Sequence, residues 1–152
     1  VEVDLSDPVA RRTLFASAGS SGTAVVITEG LLVYLEPEQV RALAEDLHGQ
    51  PALRWWLGDL SSPLLVQRVA RQWGTKLAAA GTPWKFAPAE GTKFFEPAGW
   101  RELEFRSMWR ESRRLKREMP LAWLWRLLGT FMPAEKRKLY ERMSGVMKLE
   151  RV

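Results

Sequence analysis

The sequence predicts an α/β fold: a parallel sheet with helices on its faces, an antiparallel strand pair at one edge, and a helical tail. Three observations predict it. Strand and helix patterns alternate three times over residues 1–81. The strands are short, apolar and end at or near an acid. Past residue 82, two more strand patterns come with no full-length helix between them, as at an antiparallel edge. With 152 residues, 46% hydrophobic and 27% charged, the chain reads as one domain, 1–152, with a real core.

The elements follow in order. Residues 1–5, VEVDL, read as a short strand with Asp4 near its end. Asp7 and Pro8 supply an N-cap and a first helical residue for a helix that runs to about Ala18 and stops at Gly19. Ala24 to Thr28 is continuous, β-branched and bounded by glycines, so it reads as a buried strand. Pro37 opens a helix with Val40, Leu43, Ala44 and Leu47 on one stripe, and Gly49 ends it. His48, just before that glycine, reads as a C-terminal or solvated residue rather than a catalytic base. Residues 54–60 form the next strand and end at Asp59. Ser62 and Pro63 start a longer helix with Leu65, Val66, Val69, Trp73 and Leu77 facing inward, closed by Gly81 and Pro83. The antiparallel edge pair is expected at 84–88 and 103–108. The tail, 109–152, is expected to be helical: a basic helix over 109–118, a break at Pro120, an apolar stretch over 121–129, and a final helix from Pro133.

Composition excludes several chemistries. There are no cysteines, so disulfides, thiol catalysis and cysteine-held metals are out. A single histidine leaves no His-rich metal site and no obvious Ser-His-Asp triad, and no metal is expected. No apolar run approaches a membrane span. The net charge of +5 is uneven: residues 1–100 carry −2 and residues 101–152 carry +7, so the excess belongs to the tail.

The candidate chemistry lies at the strand ends. In a parallel sheet with right-handed crossovers, successive strands end on one crevice, where open α/β sheets bind ligands. Asp4, Glu29 and Asp59 are placed to line that rim. Carboxylates there suit an ammonium, a ribose hydroxyl or an adenine donor rather than a phosphate, and neither GxGxxG nor GxxxxGK[ST] is present. The competing reading is that such acids only cap the next helix or face water, and it is strongest for Asp59. Glu29, followed by Gly30 and flanked by apolar residues, is a poor place for a merely solvated charge. Tyr34 is a candidate for shaping the pocket, or else a buried tyrosine with a satisfied hydroxyl. Trp100 is a candidate substrate wall, or else simple packing.

VEVDL at 1–5, ITEGLLVYL at 27–35, PEQV at 37–40 and FFEPAGW at 94–100 together resemble the leucine carboxyl methyltransferase-like family of S-adenosylmethionine enzymes, over nearly the whole chain. The resemblance implies the C-terminal portion of a Rossmann-like class I methyltransferase sheet. It implies S-adenosyl-L-methionine as cofactor, with Asp4 and Leu5 against the adenine and Glu29 on the methionine ammonium. It further implies a cytoplasmic enzyme that moves a methyl group to a carboxylate or hydroxyl of a small-molecule or protein acceptor. The family fold starts with two earlier strands, the first carrying a Gly-rich turn, and residue 1 falls at its third strand. The expectation is therefore the C-terminal half of such an enzyme, which binds little or no cofactor alone. A missing N-terminal half or a second copy would pair with its open strand edge.

A reading from another class rests on residues 109–126, where cations and tryptophans mix: a non-catalytic module that binds anionic lipid or nucleic acid. Glu111, Glu118 and Pro120 interrupt the positive face, and the plainer expectation is a helix packed through Trp123, Leu124, Leu127 and Leu128 with Arg113, Arg114, Lys116 and Arg117 in water. On that expectation no nucleic acid is bound.

Overall fold

The computed structural model describes residues 2–5, 7–20, 22–117 and 133–152. The expectations for Glu118, Pro120 and the apolar stretch with Trp123, Leu124, Leu127 and Leu128 lie outside the described residues. The fold is α/β with a mixed four-stranded sheet.

Helix α1 spans Pro8–Gly19, and the Asp7 carboxylate accepts from the amides of Val9 at 2.8 Å and Ala10 at 3.3 Å. Those bonds satisfy two donors that a helix start leaves orphaned. Strand β1 is Ala24–Thr28. A 3-10 turn at Leu32–Tyr34 leads to helix α2, Pro37–His48, which buries the expected stripe of Val40, Leu43, Ala44 and Leu47. The Gln39 side chain caps this helix start by accepting the Glu36 amide at 2.8 Å. Strand β2 is Leu53–Ser61, and Ser62 caps helix α3, Pro63–Ala79. A 3-10 segment at Gly91–Ala98 precedes strand β3, Trp100–Ser107, and helix α4, Met108–Arg114. Helix α5, Ala134–Glu141, and strand β4, Ser144–Arg151, end the chain.

The sheet order is β1-β2-β4-β3. β1 and β2 are parallel, with Thr28 beside Gly58, and α2 is their crossover. β4 runs antiparallel to both of its neighbours and lies between them. The sheet's antiparallel part is thus β3 with β4, not 84–88 with 103–108. Residues 84–88 are extended but make no ladder. They are held instead by the Val33 carbonyl, which accepts the Lys85 and Phe86 amides at 2.7 and 3.1 Å. Residues 2–5 form no strand either; a turn closes there, with the Asp7 amide on the Asp4 carbonyl. The tail has its expected helix after Pro133, but it ends in β4, a central strand.

The core lies on one face of the sheet. Trp56, Leu60, Met147 and Leu149 project there against α1, α2 and the two 3-10 segments. Trp56 meets Phe95 and Trp100 edge to face, at centroid separations of 5.2 and 5.7 Å. Each fully buried side chain of this size contributes roughly 1.5–3 kcal/mol. Gly58 lets β1 and β2 meet beneath them, because a Cβ there would fall 2.6 Å from Thr28 Oγ1.

The opposite face is unfinished. Alternate residues place Val25, Ile27, Trp55 and Leu57 on it, and Ile27 is 71% exposed. The apolar stripe of α3 does not bury as expected: none of its residues is buried, and Trp73 is 47% exposed.

Candidate functional site

The parallel pairing of β1 and β2 brings Glu29 and Asp59 to neighbouring positions at the carboxyl end of the sheet. Their roles differ. Asp59 lies within β2, and its carboxylate accepts the Gly30 amide at 2.7 Å. It caps no helix; Ser62 does that. Asp59 therefore fixes the turn that follows β1. Gly30 makes the turn with φ of +58°, which a residue with a Cβ adopts only at a cost, and nothing stands within 4 Å of where its Cβ would be. A ligand can approach the backbone there.

Glu29 is exposed, and its carboxylate has no hydrogen-bond or ion-pair partner among the described residues. An acid held on a fixed turn at a strand end, with its charge uncommitted, can accept from an ammonium or a hydroxyl. Below it, Thr28 Oγ1 accepts the Trp56 indole N–H at 3.0 Å and ties the end of β1 into the core.

The other sequence candidates are placed as follows. Tyr34 ends the 3-10 turn five residues beyond Glu29 and is 40% exposed rather than buried. Lys85 beside it pairs with Glu36 at 2.9 Å. Asp4 is exposed just before α1. The Leu5 side chain packs against the core, and its carbonyl accepts from Arg11, which also pairs with Asp46. Trp100 is 1% exposed and donates its indole N–H to the Ala44 carbonyl at 2.9 Å. Its register, beside Arg151, puts it at the amino end of β2, about five residues or roughly 16 Å along the sheet from the Asp59 row. Packing, the alternative weighed for Trp100, accounts for it. His48 ends α2, with Nε2 3.2 Å from the Val152 carbonyl oxygen.

A second cluster escaped the sequence reading. Glu102 receives hydrogen bonds from Arg142 and Thr92. Burial pushes its carboxyl up, but those bonds and the Arg142 charge outweigh burial and hold it below the usual glutamate range. Arg142 also lies over the Phe105 ring, 4.4 Å from its centroid. In the tail, Arg110 pairs with Glu141 and Arg114 with Glu111, so part of the positive charge is spent internally. Among the described residues no group of three potential metal ligands occurs, and no helix is long and apolar enough to cross a membrane.

No protein-family model matches the sequence, and no curated protein matches it. A solved structure similar to the chain is that of magnesium protoporphyrin IX methyltransferase from Synechocystis PCC 6803 with bound SAH, at 14% identity and a TM-score of 0.47. The match covers 86% of this chain and 46% of that one, so the chain spans less than half of that structure's length.

Proposed function

We propose that these residues form one wall of the cofactor pocket of an S-adenosylmethionine-dependent methyltransferase that methylates a carboxylate or hydroxyl oxygen. The observation that carries the reading is Glu29: an unpaired carboxylate at the carboxyl end of a parallel strand, on a turn fixed by Asp59, inside the segment that resembles the leucine carboxyl methyltransferase-like family. The donor set fits the group, since a carboxylate beside an open backbone turn suits the cofactor's amino-acid end. Asp4 and Leu5 take the adenine in this reading, and Tyr34 borders the pocket.

The cofactor, when bound, supplies a methyl group already activated on a sulfonium. Glu29 grips the ammonium and orients the methionine arm, and Asp59 keeps the Glu29–Gly30 turn in place. A carboxylate acceptor is a nucleophile at neutral pH and needs no base; orientation and exclusion of water then supply the rate. The scarcity of histidine and absence of cysteine are consistent with such chemistry.

One wall binds weakly, so the test is an NMR titration of the 152-residue chain with S-adenosylmethionine. The expected result is a millimolar, saturable shift of the Glu29 and Gly30 amides. Glu29→Gln should weaken it about tenfold or more, as for a lost charged hydrogen bond of roughly 1.5–3 kcal/mol. Shifts of these amides that Glu29→Gln leaves unchanged would sink the assignment.

A further inference from the structure

Helices α4 and α5 adjoin the end of the sheet where Ser107 pairs with Gly145: α4 leaves β3 there, and α5 leads back into β4. Arg110 of α4 and Glu141 of α5 join them at 2.8 Å. We propose that this helix pair docks on the surface of a membrane with anionic lipids. The contact is peripheral, since no helix among the described residues is long and apolar enough to cross a bilayer. The inference does not depend on the cofactor reading.

Charge is the first observation. Residues 108–117 hold five cations and one acid, and residues 133–142 hold four and two, whereas residues 1–100 carry a net −2. Internal pairing leaves most of this excess free. Arg114 is committed to Glu111, Arg110 to Glu141 and Arg142 to Glu102. Lys116, Arg117, Lys136, Arg137 and Lys138 are exposed and make no ion pair among the described residues. Against these five cations stands Glu135, an exposed acid that makes no ion pair there either. A cluster of about four to eight Lys and Arg is what an anionic leaflet attracts. The negative remainder of the chain turns this end, rather than another, toward such a leaflet.

Charge alone suits a nucleic acid equally well, and the apolar residues among the cations decide for lipid. Met108, Trp109 and Leu115, in or just after α4, are 52, 39 and 55% exposed, and Leu139 of α5 is 53% exposed. No residue of either helix is buried, so the described fold does not spend these side chains on a core. Three of the four are aliphatic, which gain from hydrocarbon and nothing from a phosphate or a base edge. Tryptophan favours the headgroup level, and Lys and Arg stems can lie along the acyl boundary with their charges at the phosphates. Tyr140, a ring that could stack a base, is engaged with α3 instead, its hydroxyl accepting from Arg68 at 2.8 Å.

The test is co-sedimentation of the 152-residue chain with large unilamellar vesicles of phosphatidylcholine, alone or with about one-third phosphatidylserine, and a random-sequence DNA duplex as a further arm. No cofactor is added, so the outcome is separate from that of the Glu29 experiment. The expected result is binding to the phosphatidylserine vesicles that weakens steeply with salt, and none to phosphatidylcholine alone. Replacing Lys136, Arg137 and Lys138 together by Gln should weaken partitioning on the order of a hundredfold. Leu115→Ser combined with Leu139→Ser should weaken it about tenfold. All five side chains are exposed, so the melting temperatures should stay where they are, which separates lost binding from lost folding. No binding to phosphatidylserine vesicles at low salt, equal binding to both vesicles, tighter binding of the DNA, or indifference to either set of substitutions would overturn the proposal.

Discussion

At the scale of single residues, Asp59 and Glu102 show how an acid's partner decides its role. Asp59 Oδ1 takes the Gly30 amide at 2.7 Å and so holds the turn that presents Glu29. Asp59→Ala should cost about 1 kcal/mol in urea unfolding, the worth of one hydrogen bond, and Asp59→Asn should recover most of it because an acceptor remains. Equal losses in the two variants would mean that charge, not the bond, matters there. Glu102 makes a pH prediction. Its carboxyl is held below the usual range in the folded chain despite burial, because Arg142 and Thr92 bond the charged form. A lowered folded pKa contributes stability above the unfolded value, near 4.3, and the contribution disappears as pH falls through the folded value. Glu102→Gln should therefore lower the melting temperature at pH 7, with a deficit that shrinks below about pH 4. A deficit independent of pH would show that packing, not charge, is lost.

At the scale of elements, β4 has more influence than its place at the chain end suggests. It lies between β2 and β3 and supplies Met147 and Leu149, both fully buried, to the core. A chain ending at Met143 should lose cooperative unfolding altogether, read as a featureless urea curve in far-UV circular dichroism. Retention of a sharp transition would show that β3 finds another partner. The sequence hides this strand. Met147 to Arg151 are all good helix formers, and only the alternation of buried Gly145, Met147 and Leu149 with Val146, Lys148 and Glu150 reveals it. α1, α2, α3, β1 and β2 were legible because caps, periodicity and glycines agreed. The segments at 1–5 and 84–88 have strand-like composition, but a strand needs a neighbour, and residues 84–88 find only the Val33 carbonyl. The site was half legible. Glu29 followed from its place after an apolar run, whereas the bond from Gly30 to Asp59 joins residues 29 positions apart, and no local pattern marks it.

At the scale of the whole molecule, the two faces of the sheet differ in kind. One carries the aromatic core; the other is charged over β3 and β4, with Arg101, Glu104, Arg106, Lys148 and Glu150, and apolar over β1 and β2. The apolar quarter adjoins the side of β1 that has no neighbouring strand among the described residues. β1 also lacks the usual protections of an edge, having no charge and no proline in AVVIT. An uncharged edge beside exposed Val25 and Ile27 is a template for self-association. Ile27→Lys should raise the concentration at which light scattering first detects assemblies. It should leave the unfolding free energy within about 0.5 kcal/mol, since the side chain is mostly in water. Val9→Lys is the control: Val9 is 66% exposed, but on α1 rather than on a strand edge. It adds the same charge without touching the template, so it should move the onset little. If both variants move the onset equally, net charge rather than the edge of β1 governs association, and the open quarter of the sheet has no special part in it.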